Sequence, residues 1–330
     1  MTERPSQVTS FDPYVELRRR LLTPQRVREL SQLRPARAAV DAMGCWLTIV
    51  AAWVAVALWP HWWSVALAIP VIGTSYYGLF IIGHDGLHRR VFANADHNDL
   101  FCDLVIYGSI GAITRLNNSN HIAHHKHLAT TADPDRHKHC SYNKQRPLQV
   151  FGYLSGVTSI LSSVLNVFGR REPVAKTQAK RAGGYTARDL AIIVGWQLTL
   201  IVGLSWAIGI WAWPVLWALP VYMFAYLGDN ARAFAEHSQP AGDADADRHR
   251  LITFTSNPIE RRFFAPMHMN FHAAHHLWPS IPYYNLPQAE RELRQLPASE
   301  LIETRGSYVA YIFRYLESLP IERLENPLRT

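Results

Sequence analysis

Two stretches of this chain, residues 42–83 and 190–228, contain no Asp, Glu, Lys or Arg. A helix of about 20 apolar residues crosses a bilayer, so each run has room for two crossings. Near its middle each is interrupted by an aromatic, proline-bearing turn, Trp59-Pro60-His61-Trp62-Trp63 in the first and Trp211-Ala212-Trp213-Pro214 in the second. Ten of the eleven tryptophans fall inside the runs, with a cluster at each turn, where indole rings favour the membrane–water interface. The pattern predicts two helical hairpins, with spans over about 43–59, 64–83, 190–210 and 214–229. Two buried hairpins of a large soluble helical protein are the competing reading, and charge-free runs of this length disfavour it.

The polar remainder holds the chemistry. Eight histidines fall into three tight clusters: His84-x-x-x-His88, His121-x-x-His124-His125 and His272-x-x-His275-His276. Residues three and four apart share a helix face, so each cluster can aim two or three imidazoles at one point. Imidazole suits Fe, Cu, Zn or Ni. One tetrahedral zinc needs four ligands at most, so eight converging imidazoles point to two metal ions with positions open for chemistry. His237, just past the last predicted span, is a candidate ninth ligand. His268, one helical turn before His272, is placed either to face the metals or to support their ligands. Asp85, Asp229, Asn230, Glu236, Asn117 and Asn120 are near enough in sequence to accept the ligands' second N–H. His61 sits at the far hairpin turn, His97 and His249 carry no pattern, and His127, His137 and His139 read as solvated. Asp243, Asp245 and Asp247 mimic a calcium loop but have Arg248 and Phe254 at its sixth and twelfth positions, which fails that requirement.

One shared site constrains topology. Residues 147–169 are also uncharged, but a crossing there would put the third cluster on the opposite membrane face from the first two. A helix lying in the interface over about 148–169 is therefore expected. The N-terminal segment to Arg37 carries eight Arg against four acids, and six Lys or Arg lie between Arg170 and Arg188. Positive charge beside the spans predicts a cytoplasmic location for both termini and for the histidines. The expected plan is an all-α integral membrane fold with four transmembrane helices in two hairpins and a cytosolic histidine-rich cap. Its parts are a cytosolic arm over 1–41, a membrane domain over 42–306 and a cytosolic tail over 307–330. The first forty residues lack the apolar core of a secretory signal. Cys45, Cys102 and Cys140 suggest neither a disulfide framework nor a zinc knuckle. No nucleic-acid motif accompanies the net charge of +7, which suits anionic lipid and an acidic partner better.

With these clusters the chain resembles the membrane fatty acid desaturase and hydroxylase superfamily, whose hallmark is three histidine boxes matched here by His84–His88, His121–His125 and His272–His276. The run from Leu277 to Pro287 looks like the stretch that often follows the third box in acyl desaturases, and Asp133-Pro134-Asp135 is similar to one in carotenoid ketolases. The resemblance implies two iron ions held by the eight box histidines and His237, with O₂ as co-substrate. It implies an external electron donor of ferredoxin or cytochrome b5 type, since no His-Pro-Gly-Gly haem loop is present. The expected reaction is oxidation of an unactivated C–H bond, with desaturation of a lipid-linked acyl chain placed first. A hydroxylase or ketolase acting on a carotenoid, alkane or specialised metabolite is the alternative. A haem-carrying membrane protein is a third reading, but two axial ligands would leave six cluster histidines unexplained.

Overall fold

Proline is tolerated at the first position of a helix, where its missing N–H has no partner to lose, and Pro35 starts a 24-residue helix there. The computed structural model describes residues 14–128, 132–135, 145–158, 160–161, 184–238, 251–297 and 302–319. In chain order its helices are α1 (Val15–Arg20), α2 (Pro24–Leu30), α3 (Pro35–Leu58), α4 (Trp62–Leu87), α5 (Ala95–Val105), α6 (Thr114–His127), α7 (Pro147–Leu154) and α8 (Ala187–Ala207). There follow α9 (Leu227–His237), α10 (Pro258–Phe264), α11 (His272–Leu277), α12 (Leu286–Leu293) and α13 (Tyr308–Glu317). Two three-residue strands, β1 (Ile252–Phe254) and β2 (Glu303–Arg305), pair in parallel with Ile252 opposite Glu303. This pairing, which the sequence pattern did not suggest, fastens the C-terminal segment beside the histidine-bearing elements.

Among the described residues, three helices are long and apolar enough to cross a membrane: α3, α4 and α8. The apolar window of α4 is 61% buried, against 22% for α3 and 11% for α8, which makes α4 the central helix. The fourth expected span differs. Residues 214–229 are helical, but Pro214–Ala218 and Val221–Tyr226 are wound as π-helix before α9 begins. Proline removes a backbone donor and crowds the preceding turn, and Pro214 and Pro220 each lie at the start of a widened stretch. The segment also packs closely on α4, because Gly73 leaves no side chain between that helix and the Pro220 carbonyl and Phe224 ring.

The tryptophans divide by role. Trp59, Trp62, Trp63, Trp206 and Trp211 are exposed at the hairpin turns, as an interfacial belt requires. Trp46, Trp53, Trp196 and Trp217 instead hold helices together. Trp46 stacks on Trp196 and Trp217 at ring distances of 5.2 and 5.7 Å. Their indole N–H groups donate to the carbonyls of Val105, Leu216, Leu104 and Ser109.

Within the expected interfacial helix, α7 exposes Leu148 and Phe151 and buries Val150 and Tyr153, as an amphipathic surface helix does; residues 162–169 lie outside the described residues. The N-terminal arm is packed against the segment after the third box. Arg26 makes a two-pronged ion pair with Glu292, Arg18 donates to the Leu277 carbonyl, and Asn285 donates to that of Leu30. Part of the arginine excess is thus internal pairing.

Candidate metal centre

Four helices end at one place. His84 lies in the last turn of α4 and His88 caps it. His121, His124 and His125 lie on the C-terminal half of α6, and His237 is the last residue of α9. His272, His275 and His276 occupy α11. The C-terminal end of a helix carries partial negative charge, so α4, α6 and α9 all favour a cation there.

The nine imidazoles form two adjoining groups. Ligand-capable atoms of His84, His88, His121, His125 and His275 lie within 4.8 Å of one another, as do those of His124, His237 and His276. His272 joins the second group through His237, their Nε2 atoms 2.9 Å apart. The groups touch where the rings of His125 and His276 stack at 4.3 Å. The boxes do not map one to each group. His121 and His125, an i, i+4 pair, serve the first group while His124 between them serves the second. In the third box the split is reversed, with His272 and His276 in the second group and His275 in the first. An α-helix turns about 100° per residue, so the i and i+4 side chains lie about 40° apart while i+3 lies about 60° to the other side. One helix can therefore feed two neighbouring metals.

The residues fit metal ions. His121 and His88 approach Nε2 to Nε2 at 2.9 Å, and His275 and His125 at 3.1 Å. Two nitrogens bound at about 2.1 Å to one metal at right angles stand roughly 3 Å apart. Buried polar groups normally have hydrogen-bond partners, yet the Nδ1 atoms of His84, His125, His275 and His276 have none among the described residues. Burial pushes the imidazoles of His121, His125, His272, His275 and His276 well below their usual pKa, and neighbouring imidazoles add to the effect. They are therefore neutral at neutral pH, the form that ligates.

Carboxylates back only one group among the described residues. His124 Nδ1 lies 3.0 and 3.1 Å from the two oxygens of Asp133. His272 Nδ1 is 3.2 Å from Glu236 Oε2, though off the line of an ideal hydrogen bond. Glu236 is one of the six side chains that sequence proximity offers for this role; Asp133, nine residues after His124 in a loop, is not among them, and its resemblance to ketolases is the available signal. The other candidates serve elsewhere. Asp85 accepts from Tyr283 N at 2.7 Å, tying the first box to the chain after the third. Asn117 and Asn230 donate to the carbonyls of Ile113 and Tyr153, Asn120 to Asp135, and Asp229 pairs with Arg232.

His268 lies outside both groups. The left-handed backbone at Met267 and His268, with φ of 52° and 64°, breaks the helical register that would have put it over His272. His61 stands at the N-terminus of α4, opposite the His84 end, and His97 is exposed on α5. His137, His139, His249 and Asp243, Asp245 and Asp247 lie outside the described residues.

The chain is 27% identical over 250 residues to a beta-carotene ketolase of Paracoccus sp. (strain N81106 / MBIC 01143), covering 72% of this chain and 88% of the relative. It is 25% identical over 271 residues to an sn-1 oleoyl-lipid 12-desaturase of Arthrospira platensis, 74% of each chain. Over 293 residues it is 24% identical to a dihydrorhizobitoxine desaturase of Bradyrhizobium elkanii, 82% of this chain and 79% of the relative. The fatty acid desaturase profile matches residues 60–306, a span that contains all nine clustered histidines, and the chain belongs to that family.

Proposed function

We propose that this oxidoreductase uses two iron ions and O₂ to oxidise an unactivated C–H bond of a membrane-soluble substrate, with introduction of oxygen into a carotenoid-like isoprenoid as the leading reaction. The observation that carries the reading is the convergence of nine histidines into two touching groups. Iron, when bound, supplies the O₂ activation that side chains alone cannot. The chain's own residues do the rest. His84, His88, His121, His125 and His275 would hold one ion, and His124, His237, His272 and His276 the other. Asp133 orients His124 and Glu236 stands behind His272.

The choice of substrate reverses the order expected from the sequence, which placed acyl desaturation first. Two beta-carotene ketolases stand among the relatives, at 27% identity each. The loop at Asp133, similar to one in ketolases, supplies a carboxylate contact to a candidate ligand. The acyl reading draws on the 25% identity to the lipid desaturase.

Topology and partners follow. Four crossings, with the π-wound segment as the fourth, return the chain to its starting side and keep all three boxes on one face, which the flanking positive charge makes cytoplasmic. An external ferredoxin or cytochrome b5 supplies electrons and docks on basic residues around the site.

The test is expression in a host that makes β-carotene and carries a compatible donor, under ¹⁸O₂. Labelled keto- or hydroxycarotenoid supports the reading. A new double bond in membrane acyl lipids with unchanged carotenoid restores the acyl desaturase. Stoichiometric zinc or a haem band in native-source protein would sink the di-iron assignment.

A further inference from the structure

The C-terminal segment lies outside the histidine boxes, yet it grips the helix end that carries His237. Arg305 Nη1 donates to the Ala235 carbonyl at 2.5 Å, and Tyr311 OH donates to that of Ser238. Arg305 also stacks over the Tyr311 ring at 3.8 Å. Between these contacts, Tyr308 OH donates to Glu236 Oε1 at 3.0 Å. Tyr308 is itself fully buried, stacked at 3.8 Å on Phe254 of β1. The parallel pairing of β1 with β2 fixes where α13 starts, so the grip is built into the fold.

Glu236 is the hub. It is wholly buried. Its Oε1 takes the Tyr308 hydroxyl, and its Oε2 faces both Arg232 Nη1 at 3.1 Å and His272 Nδ1 at 3.2 Å. Its oxygens are engaged by Tyr308 and Arg232 and it stands behind His272, within 4.8 Å of ligand-capable nitrogens of His237 and His272, so the carboxylate is placed to act on a metal through His272. Arg232 is anchored in turn by Asp229 at 2.7 Å and by the Tyr77 hydroxyl at 3.1 Å. Among the described residues no carboxylate stands within ion-pair distance of the five-histidine group, whereas Glu236 Oε2 lies 3.2 Å from His272 Nδ1.

We infer that Glu236 is a positioning residue for the four-histidine metal position alone, and that the segment bearing Arg305, Tyr308 and Tyr311 holds that position through it. The two metal positions are thus unequal: one is set by the boxes, the other also by the C-terminal segment. The inference rests on the two-metal reading above.

The test compares wild type, Glu236→Gln and Tyr308→Phe, purified whole in detergent and loaded with ⁵⁷Fe. Tyr308→Phe keeps the ring on Phe254 and removes only the hydroxyl, so it reads the link without disturbing packing. Partners of metal-bound histidines are worth about 10–100-fold in metal affinity. Each variant is expected to lose one iron per chain at a chelator concentration where wild type keeps two, with one Mössbauer doublet shifted and the other unchanged. Parallel loss of both irons, or wild-type retention in both variants, overturns the inference and leaves the di-iron reading standing. A wild-type chain that binds no metal overturns both.

Discussion

Asp133→Asn tests how a carboxylate outside the histidine boxes contributes to the centre. Asp133 Oδ1 lies 3.0 Å from His124 Nδ1 and also accepts Asp135 N at 2.8 Å, while Oδ2 lies 3.1 Å from the same imidazole nitrogen. An asparagine in the same pose keeps the Oδ1 contacts but turns an NH₂ donor towards Nδ1 where a charged acceptor had been. The side chains of His124 and Asp133 are only 6% and 2% exposed, so solvent cannot replace what is lost. A hydrogen bond to a charged group is worth about 1.5–3 kcal/mol. At about 1.4 kcal/mol per factor of ten, this gives roughly 10–100-fold weaker metal binding at the four-histidine position, in line with other partners of metal-bound histidines. The assay is metal per chain by emission spectroscopy after equilibration with graded chelator, with circular dichroism as the folding control. Retention within about twofold of wild type in a folded variant would falsify the assignment of Asp133 as the partner of a metal ligand.

Other expectations concern ligation, pH and packing. His275→Ala should abolish turnover and deplete metal from the five-histidine group, whereas His97→Ala, at an exposed site, should leave both unchanged; full activity in His275→Ala refutes the shared centre. Because burial holds His121, His125, His272, His275 and His276 below their ordinary value of 6.5, the unfolded chain takes up protons there before the folded one does. Stability of the metal-free protein should therefore fall as pH drops below about 6.5, and a melting temperature that stays flat from pH 8 to 5 refutes this. Gly73→Ala would put a Cβ 2.5 Å from the Pro220 carbonyl oxygen, and overpacking of this kind costs about 1–3 kcal/mol. Its melting temperature in detergent should drop, and an unchanged one argues against the close approach of α4 and the π-wound segment.

What could be read from the sequence depended on the distance over which each feature is encoded. The eight box histidines announce themselves because their spacing is local, three or four residues apart on one helix face, whereas His237 stands alone in the sequence; the charge-free runs show α3, α4 and α8 for the same local reason. The π-winding of the fourth segment leaves no mark on the apolar pattern, in which Pro214 reads as part of the hairpin turn and Pro220 as part of an ordinary span. Arg26 and Glu292 pair across 266 residues, a separation at which hydrophobic pattern carries no information. Nor could spacing say that His268 falls out of register, since a left-handed turn at Met267 and His268 leaves no mark on periodicity.

Why the second and third boxes are spaced H-x-x-H-H follows from the structure. On each of α6 and α11 the i, i+4 pair belongs to one histidine group, and the intervening histidine, about 100° round from one of them, belongs to the other. The helices make this division in opposite senses, so each contributes two imidazoles to one group and one to its neighbour. Rotation of either helix about its axis would therefore move ligands at both positions together. The separation of the two histidine groups therefore depends on how α6 and α11 face each other. That arrangement is held by contacts outside the boxes. Asn118 on α6 donates to the Leu87 carbonyl at the end of α4, and Asp85 takes the Tyr283 N–H just beyond α11. The boxes supply the ligands, and these links between α4, α6 and the chain after α11 give the two groups their common geometry.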